Sequence, residues 1–258
     1  MRAFGPLQEL REKPIPDQSP IRNRPSGWRA KVPLDRAGAA FSEPLVDIHA
    51  RGIAGENFYH SPRNPPYWHR VDGSVPDLLA RKAVAEKLAA VNARLKPQGL
   101  ELYVFDAWRP RAVQAYFHDV WVPRELQKRD PSLTGEALML EVSRYWSAPT
   151  TNEDAPAPHS TGSALDLTLR WIGGEHLWMG SLFDDASPIA HRDRMEAHAD
   201  PMSFSDTEAR ANRRLLHWIM HEEGFVGYSE EWWHFSYGDQ YWAGVSAAPA
   251  ALYGKAKD

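Results

Sequence analysis

Residues Ala157–Leu167 read APHSTGSALDL. A proline precedes His159, and seven residues later Asp166 sits in a run that alternates like a β-strand. In SALDLTLRW (163–171), Leu165, Leu167, Leu169 and Trp171 fall on one side, and Ala164, Asp166, Thr168 and Arg170 on the other. The stretch is thus a turn that delivers His159 to the mouth of a strand, with Asp166 on that strand's polar side. Read alone, it is compatible with half of a metal site or with a turn histidine beside a strand-edge acid.

Around this strand, helical and extended patterns alternate irregularly. Val84, Leu88, Val91 and Leu95 recur at helical spacing, which predicts an amphipathic helix over 76–96, with Pro76 near its start and Pro97–Gly99 ending it. LELYVFDAW (100–108) reads as a strand, and RPRAVQAYFHDVW (109–121) as a helix that tolerates Pro110 in its first turn. Residues 134–146 suggest a further helix. Ser205 and Glu208 form a capping box opening a helix with Leu215, Leu216, Ile219 and Met220, which stops at Gly224. FVGYSEEWWHFSY (225–237) reads as a final strand or hairpin. The order predicts an α+β fold, a small and mostly antiparallel sheet flanked by helices. Residues 1–45, rich in Pro and Arg, are expected to be an irregular arm, and 46–258 a single catalytic domain.

Composition narrows the chemistry. The chain has 258 residues, 43% hydrophobic and 25% charged, ordinary for a globular protein able to bury its own core. A net charge of -4 gives no general attraction to nucleic acid. The absence of cysteine excludes disulfides, thiolate metal sites and a cysteine nucleophile. No run reaches the roughly 18 apolar residues of a membrane span. MRAFGPLQELREKPIPDQ lacks the apolar core of a signal peptide, so a cytoplasmic location is expected, or a periplasmic one if a signal has been removed. No sequence feature specifies an oligomer.

Catalytic zinc commonly takes three nitrogen or oxygen ligands and keeps a position open. His159, Asp166 and, in the second strand-like segment, His234 would supply two imidazoles and a carboxylate. Glu231 lies three residues before His234 in EEWWH, placed to act as a general base beside a metal-activated water. Flanking Trp232 and Trp233 would desolvate it and raise its pKa. In an ideal strand 231 and 234 point to opposite faces, so the pairing requires a bulge or the strand's end there. Arg109, at the end of a strand, has paired N–H donors for an oxyanion or carboxylate. Asp184, in MGSLFDD, is a candidate anchor for a substrate ammonium. His217 and His221 lack the HExxH frame and read as ordinary helix residues.

Together, HSTGSALD, the later EEWWHF, the upstream DAWRP and the intervening MGSLFD resemble the D-alanyl-D-alanine dipeptidases of the VanX type. These belong to the zinc D-Ala-D-Ala metallopeptidases with the pattern HxxGxAxD…ExxWH or ExWH. The resemblance covers roughly residues 45–240. It implies a Hedgehog/D-Ala-D-Ala peptidase-like fold, one zinc ion on His159, Asp166 and His234, and Glu231 as catalytic base and acid. It makes Arg109 the residue that stabilises the tetrahedral intermediate, and puts Asp184 and Ser163 at the substrate. The reaction implied is hydrolysis of the D-Ala-D-Ala dipeptide to two D-alanines. A D,D-carboxypeptidase or endopeptidase on cell-wall peptides, and a silent zinc-binding module, are the alternatives. The chain departs from the family at Ala157, where a serine is frequent, and echoes its N-terminal region only loosely, through Asn57 and Phe58.

Overall fold

The structure is a computed structural model that describes residues 4–197 and 203–256. Its strands are β1 (Leu45–Asp47), β2 (Ala54–Gly55), β3 (Leu79–Arg81), β4 (Leu100–Asp106), β5 (Ala164–Trp171), β6 (Val226–Gly227) and β7 (His234–Ser236). A five-stranded sheet runs in the order β2-β4-β5-β7-β6, and β1 and β3 form a separate antiparallel pair. Only the β2–β4 pairing at the sheet's edge is parallel. The predicted α+β fold with a small, mostly antiparallel sheet is therefore observed.

Strand β5 is central, and its side-chain alternation does two jobs. Leu167 and Leu169 pair across to Val104 and Leu102 of β4, giving one continuous apolar face. Thr168 and Arg170 pair with Tyr103 and Glu101 on the other face, where Arg170 Nη2 lies 2.7 Å from Glu101 Oε1. The face expected to be polar is not solvated: Asp166 and Thr168 are each only 1% exposed. A buried strand end that carries an acid needs a partner for the charge, and that requirement locates the site.

The helices are α1 (Gln8–Glu12), α2 (Ser19–Arg22), α3 (Lys82–Leu95), α4 (Arg111–Tyr116), α5 (Val122–Arg129), α6 (Gly135–Tyr145), α7 (Phe204–Glu222) and α8 (Gln240–Ser246). A π-helical turn, Phe117–Trp121, joins α4 to α5, so the predicted helix over 109–121 continues past its expected end. Helix α3 begins at Lys82, later than the predicted 76, because Leu79–Arg81 are taken by β3 and pair with β1. Its buried stripe, Val84, Leu88, Val91 and Leu95, is the one its spacing marks. Lys87 donates to the Glu223 carbonyl at 2.9 Å and Arg94 pairs with Glu222, so α3 and the end of α7 lie side by side.

The cap of α7 is Ser203, not Ser205: its hydroxyl accepts from the Asp206 backbone N–H at 3.1 Å and donates to the Asp206 carboxylate. The cap thus stands two residues earlier than the sequence pattern suggests, with Asp206 on its hydroxyl. Among the described residues, no helix is long and apolar enough to cross a membrane. The segment before residue 45 is more regular than an irregular arm. Leu7, Leu10 and Ile15 are buried, and Arg11 bonds to Glu208 and Asn212 of α7.

Candidate metal centre and active site

Sheet register lines up three of the functional side chains. Asp166 pairs laterally with His234 of β7 on one side and with Asp106 of β4 on the other. Simple alternation would put Asp106 on the Val104 face. A register shift between Val104 and Asp106 turns it toward Asp166 instead. His159 arrives from the 3₁₀ turn Pro158–Thr161, which Gly162 closes at φ 72°. A Cβ at Gly162 would stand 2.2 Å from Leu45 Cδ2, so only glycine fits both the left-handed backbone and the space. Glu231 precedes the first residue of β7 in the loop from β6. The opposite-face objection therefore lapses, and Glu231 Oε2 comes 3.6 Å from His234 Nδ1.

Three atoms converge. His159 Nε2 lies 3.1 Å from His234 Nδ1 and 3.4 Å from Asp166 Oδ1, and the last two are 3.2 Å apart. The hydrogen-bond network orients each as a ligand-capable atom. His159 Nδ1 is 2.8 Å from the Ala107 carbonyl, which can only accept, so Nδ1 carries a proton and Nε2 is the nitrogen left to face a metal ion. Ser236 Oγ donates to Asp239 at 2.8 Å and is left to accept from His234 Nε2 at 3.4 Å, which leaves Nδ1 bare. Asp166 Oδ1 is buried without a hydrogen-bond partner. Three lone pairs facing one another repel unless a cation lies between them. Ligands of a tetrahedral ion at about 2.0–2.1 Å lie about 3.3–3.4 Å apart, so the spacing fits the ion's size.

With no ion between the donors, a proton takes the cation's place. Burial and Arg109 oppose charge on His159, yet Asp166 and Asp106 outweigh them and hold its pKa up at about 9. The cluster attracts positive charge. The outer contacts of the ligands matter because they set the tautomers. Ser236→Ala removes the acceptor for His234 Nε2–H and should weaken metal binding by about 10–100-fold. Competition against a chromophoric chelator measures this, and an unchanged dissociation constant would show that the tautomer is set elsewhere.

Arg109 is 5% exposed and tightly committed. Nε donates to Asp106 at 2.9 Å, Nη1 to Gln114 at 3.0 Å, and Nη2 to Asp166 at 2.9 Å and Tyr59 at 3.2 Å. These bonds use four of its five N–H groups. Asp184 adopts φ 58° and accepts from Tyr59 at 3.0 Å and from Tyr67. Burial, with Asp166 adding to it, pushes Asp184 up to about 7 against the pull of Tyr67, Arg109 and Tyr59. Burial, then Asp166 and Asp184, push Glu231 well above the usual carboxylate range. The flanking indoles are buried but engaged elsewhere: Trp232 Nε1 donates to Ser181 at 2.9 Å and Trp233 meets Phe183 edge-on. A dication at the three donors would draw Glu231 back toward the ionised form.

A cavity with an empty volume of about 450 Å³, open mouth included, is lined by His159, Asp166, His234, Glu231, Arg109 and Asp184. Six of the seven residues picked out in the sequence thus meet in one place. Ser163 does not: it is fully buried, its hydroxyl lies 2.7 Å from Thr161 Oγ1, and it is absent from the lining. Sequence reasoning missed Tyr59, Tyr67, Asp106, Gln114, Ser236 and Asp239. Tyr59 follows Asn57–Phe58 directly, and Asp106 is three residues from Arg109, so those two had a local signal. Gln114 and Asp239 had none.

The family model described as Peptidase M15, D-ala-D-ala dipeptidase, matches residues 73–248. A D-alanyl-D-alanine dipeptidase of Synechocystis sp. is 38% identical over 229 residues, covering 82% of this chain and 87% of the relative. One from Enterococcus faecium is 34% identical over 172 residues, covering 66% of this chain and 79% of the relative. The matched span contains all three convergent donors together with Arg109, Asp184 and Glu231, and the chain belongs to the D-ala-D-ala dipeptidase family of M15 peptidases.

Proposed function

We propose that this protein is a zinc-dependent D-alanyl-D-alanine dipeptidase, with His159, Asp166 and His234 holding one zinc ion. The observation that carries the reading is the trio of metal-ligating atoms 3.1–3.4 Å apart in the lining of a cavity. Two imidazoles and a carboxylate are a donor set suited to catalytic zinc. Zinc bound there supplies Lewis-acid polarisation of a carbonyl and a water acidic near neutral pH.

The chain's own groups do the rest. Glu231 takes the proton of the attacking water on its carboxylate and returns it to the nitrogen of the leaving D-alanine. Its desolvated position raises its proton affinity above that of an ordinary carboxylate, and a dication bound at the three donors would draw it back toward the ionised form. Arg109 holds Asp166 in place as a ligand and has one N–H left to share a developing oxyanion. Asp184, held by two tyrosine hydroxyls, receives the substrate's ammonium.

Purified protein should release D-alanine from D-Ala-D-Ala, lose that activity on chelation and regain it with zinc. Activity on a cell-wall pentapeptide but not on the free dipeptide would favour a D,D-carboxypeptidase. Bound zinc with hydrolysis of neither would favour a silent binding module.

A further inference from the structure

The catalytic cavity is lined partly by a residue far outside the matched family span. Arg29 lies in a short 3₁₀ turn, Trp28–Lys31, of the N-terminal segment, and borders the same cavity as His159, Asp166 and Glu231. We propose that Arg29 binds the C-terminal carboxylate of the substrate, so that the N-terminal segment forms part of the specificity site. The inference rests on the dipeptidase reading.

A dipeptide at neutral pH carries an ammonium at one end and a carboxylate at the other. The lining offers Asp184 for the first. For the second it offers two guanidiniums, Arg29 and Arg109. Arg109 is held by Asp106, Asp166, Gln114 and Tyr59, and its charge is balanced by the two aspartates. Arg29 makes one long bond, Nη2 to Ser147 Oγ at 3.3 Å, and has no carboxylate partner among the described residues. It is a half-buried cation with its ion-pairing capacity unused, at the edge of a site whose substrate carries a carboxylate. Guanidinium suits that role because its parallel N–H groups match a carboxylate's two oxygens.

The segment is braced on both sides of Arg29, so the residue is held in position before substrate arrives. Upstream, Arg22 forks onto Asp193 at 2.8 and 2.9 Å, and Arg24 donates to the Gly244 carbonyl at 3.0 Å. Trp28 packs on Tyr241 with ring centres 5.7 Å apart, over Gly244, where a Cβ would come within 2.2 Å of the indole. Downstream, the Val32 carbonyl accepts from Gln240 at 2.7 Å and the Pro33 carbonyl from Ala251 N–H at 2.8 Å. The other polar groups at this end of the cavity are occupied: Tyr228 Oη bonds to the Arg144 carbonyl and Glu230, and Tyr241 Oη accepts from Ser229 N–H.

The test compares D-Ala-D-Ala with D-alanyl-D-alaninamide, which lacks the carboxylate. The wild-type protein should prefer the free acid. Arg29→Ala should lose about 10–100-fold in kcat/KM on the acid, chiefly through KM, and little on the amide. Arg29→Lys should recover part of the loss. Equal losses on both substrates, or no loss on the acid, would overturn the proposal. Calorimetric binding of both compounds to Glu231→Gln protein, with and without Arg29→Ala, gives the same comparison without turnover. Acid-over-amide binding that depends on Arg29, in a wild-type protein that hydrolyses neither, would refute the dipeptidase reading and leave the carboxylate site standing.

Discussion

Glu231→Gln should retain the metal ion and lower kcat on D-Ala-D-Ala by about 10²–10⁴-fold, the usual contribution of a positioned general base. Glu231 is outside the trio of donors, its Oε2 lying 3.6 Å from His234 Nδ1. Metal content should therefore stay at one ion per chain. Glutamine fills the same space, so the buried surroundings remain packed. The substitution also removes one of the acids that crowd this cavity, where Asp166 and Asp184 already push Glu231 upward. The variant should consequently unfold at the same temperature as wild type or slightly above it, the pattern of a site that sacrifices stability for chemistry. Turnover, metal stoichiometry and melting temperature are measured on one preparation. Turnover within tenfold of wild type would mean another group moves the proton. Loss of metal would make Glu231 a ligand.

Much of this architecture is written in local patterns. The alternation in SALDLTLRW gives β5 its two faces, and the spacing of Val84, Leu88, Val91 and Leu95 gives α3 its buried stripe. Gly162 and Gly224 mark chain reversals where left-handed backbone is needed. The convergence of His159, Asp166 and His234 depends on register, which no single segment encodes. The motif's resemblance to a family supplied it, and the pairing of Asp166 with His234 explains it. What stayed illegible is what tertiary contacts decide. The first turn predicted for α3 became β3 because β1 was there to pair with it. Asp106 reached the site through a register shift that periodicity cannot foresee. Ser163 sits in the right motif but turns inward to Thr161. Arg29 belongs to a Pro- and Arg-rich stretch with no periodic pattern, and only its braces on Asp193, Gly244 and Gln240 place it over the cavity.

Asp166 joins the metal centre to the rest of the protein, and two substitutions should separate its roles. One carboxylate oxygen faces the imidazole lone pairs, while the other accepts from Arg109 at 2.9 Å. Asp166→Asn keeps the shape. Its carbonyl oxygen can accept from Arg109, which turns the amide NH₂ toward His159 Nε2 and His234 Nδ1. Donated hydrogens then occupy the space meant for the ion, so metal binding and turnover should vanish from a folded protein. Asp166→Ala also abolishes turnover, but leaves Arg109 with Asp106 as its sole anionic hydrogen-bond partner. Breaking a buried ion pair from one side costs about 3–5 kcal/mol. For a chain of this length each kcal/mol lowers the melting temperature by about 2–4 °C. The alanine variant should therefore melt about 6–20 °C below wild type when both are compared free of metal. The asparagine variant should stay close to wild type under the same conditions. Comparing metal-free proteins removes the stabilisation that an ion gives by binding only the folded state. Tight metal binding by Asp166→Asn would contradict its assignment as a ligand. An unchanged melting temperature for Asp166→Ala would show that Asp106 alone suffices to hold Arg109.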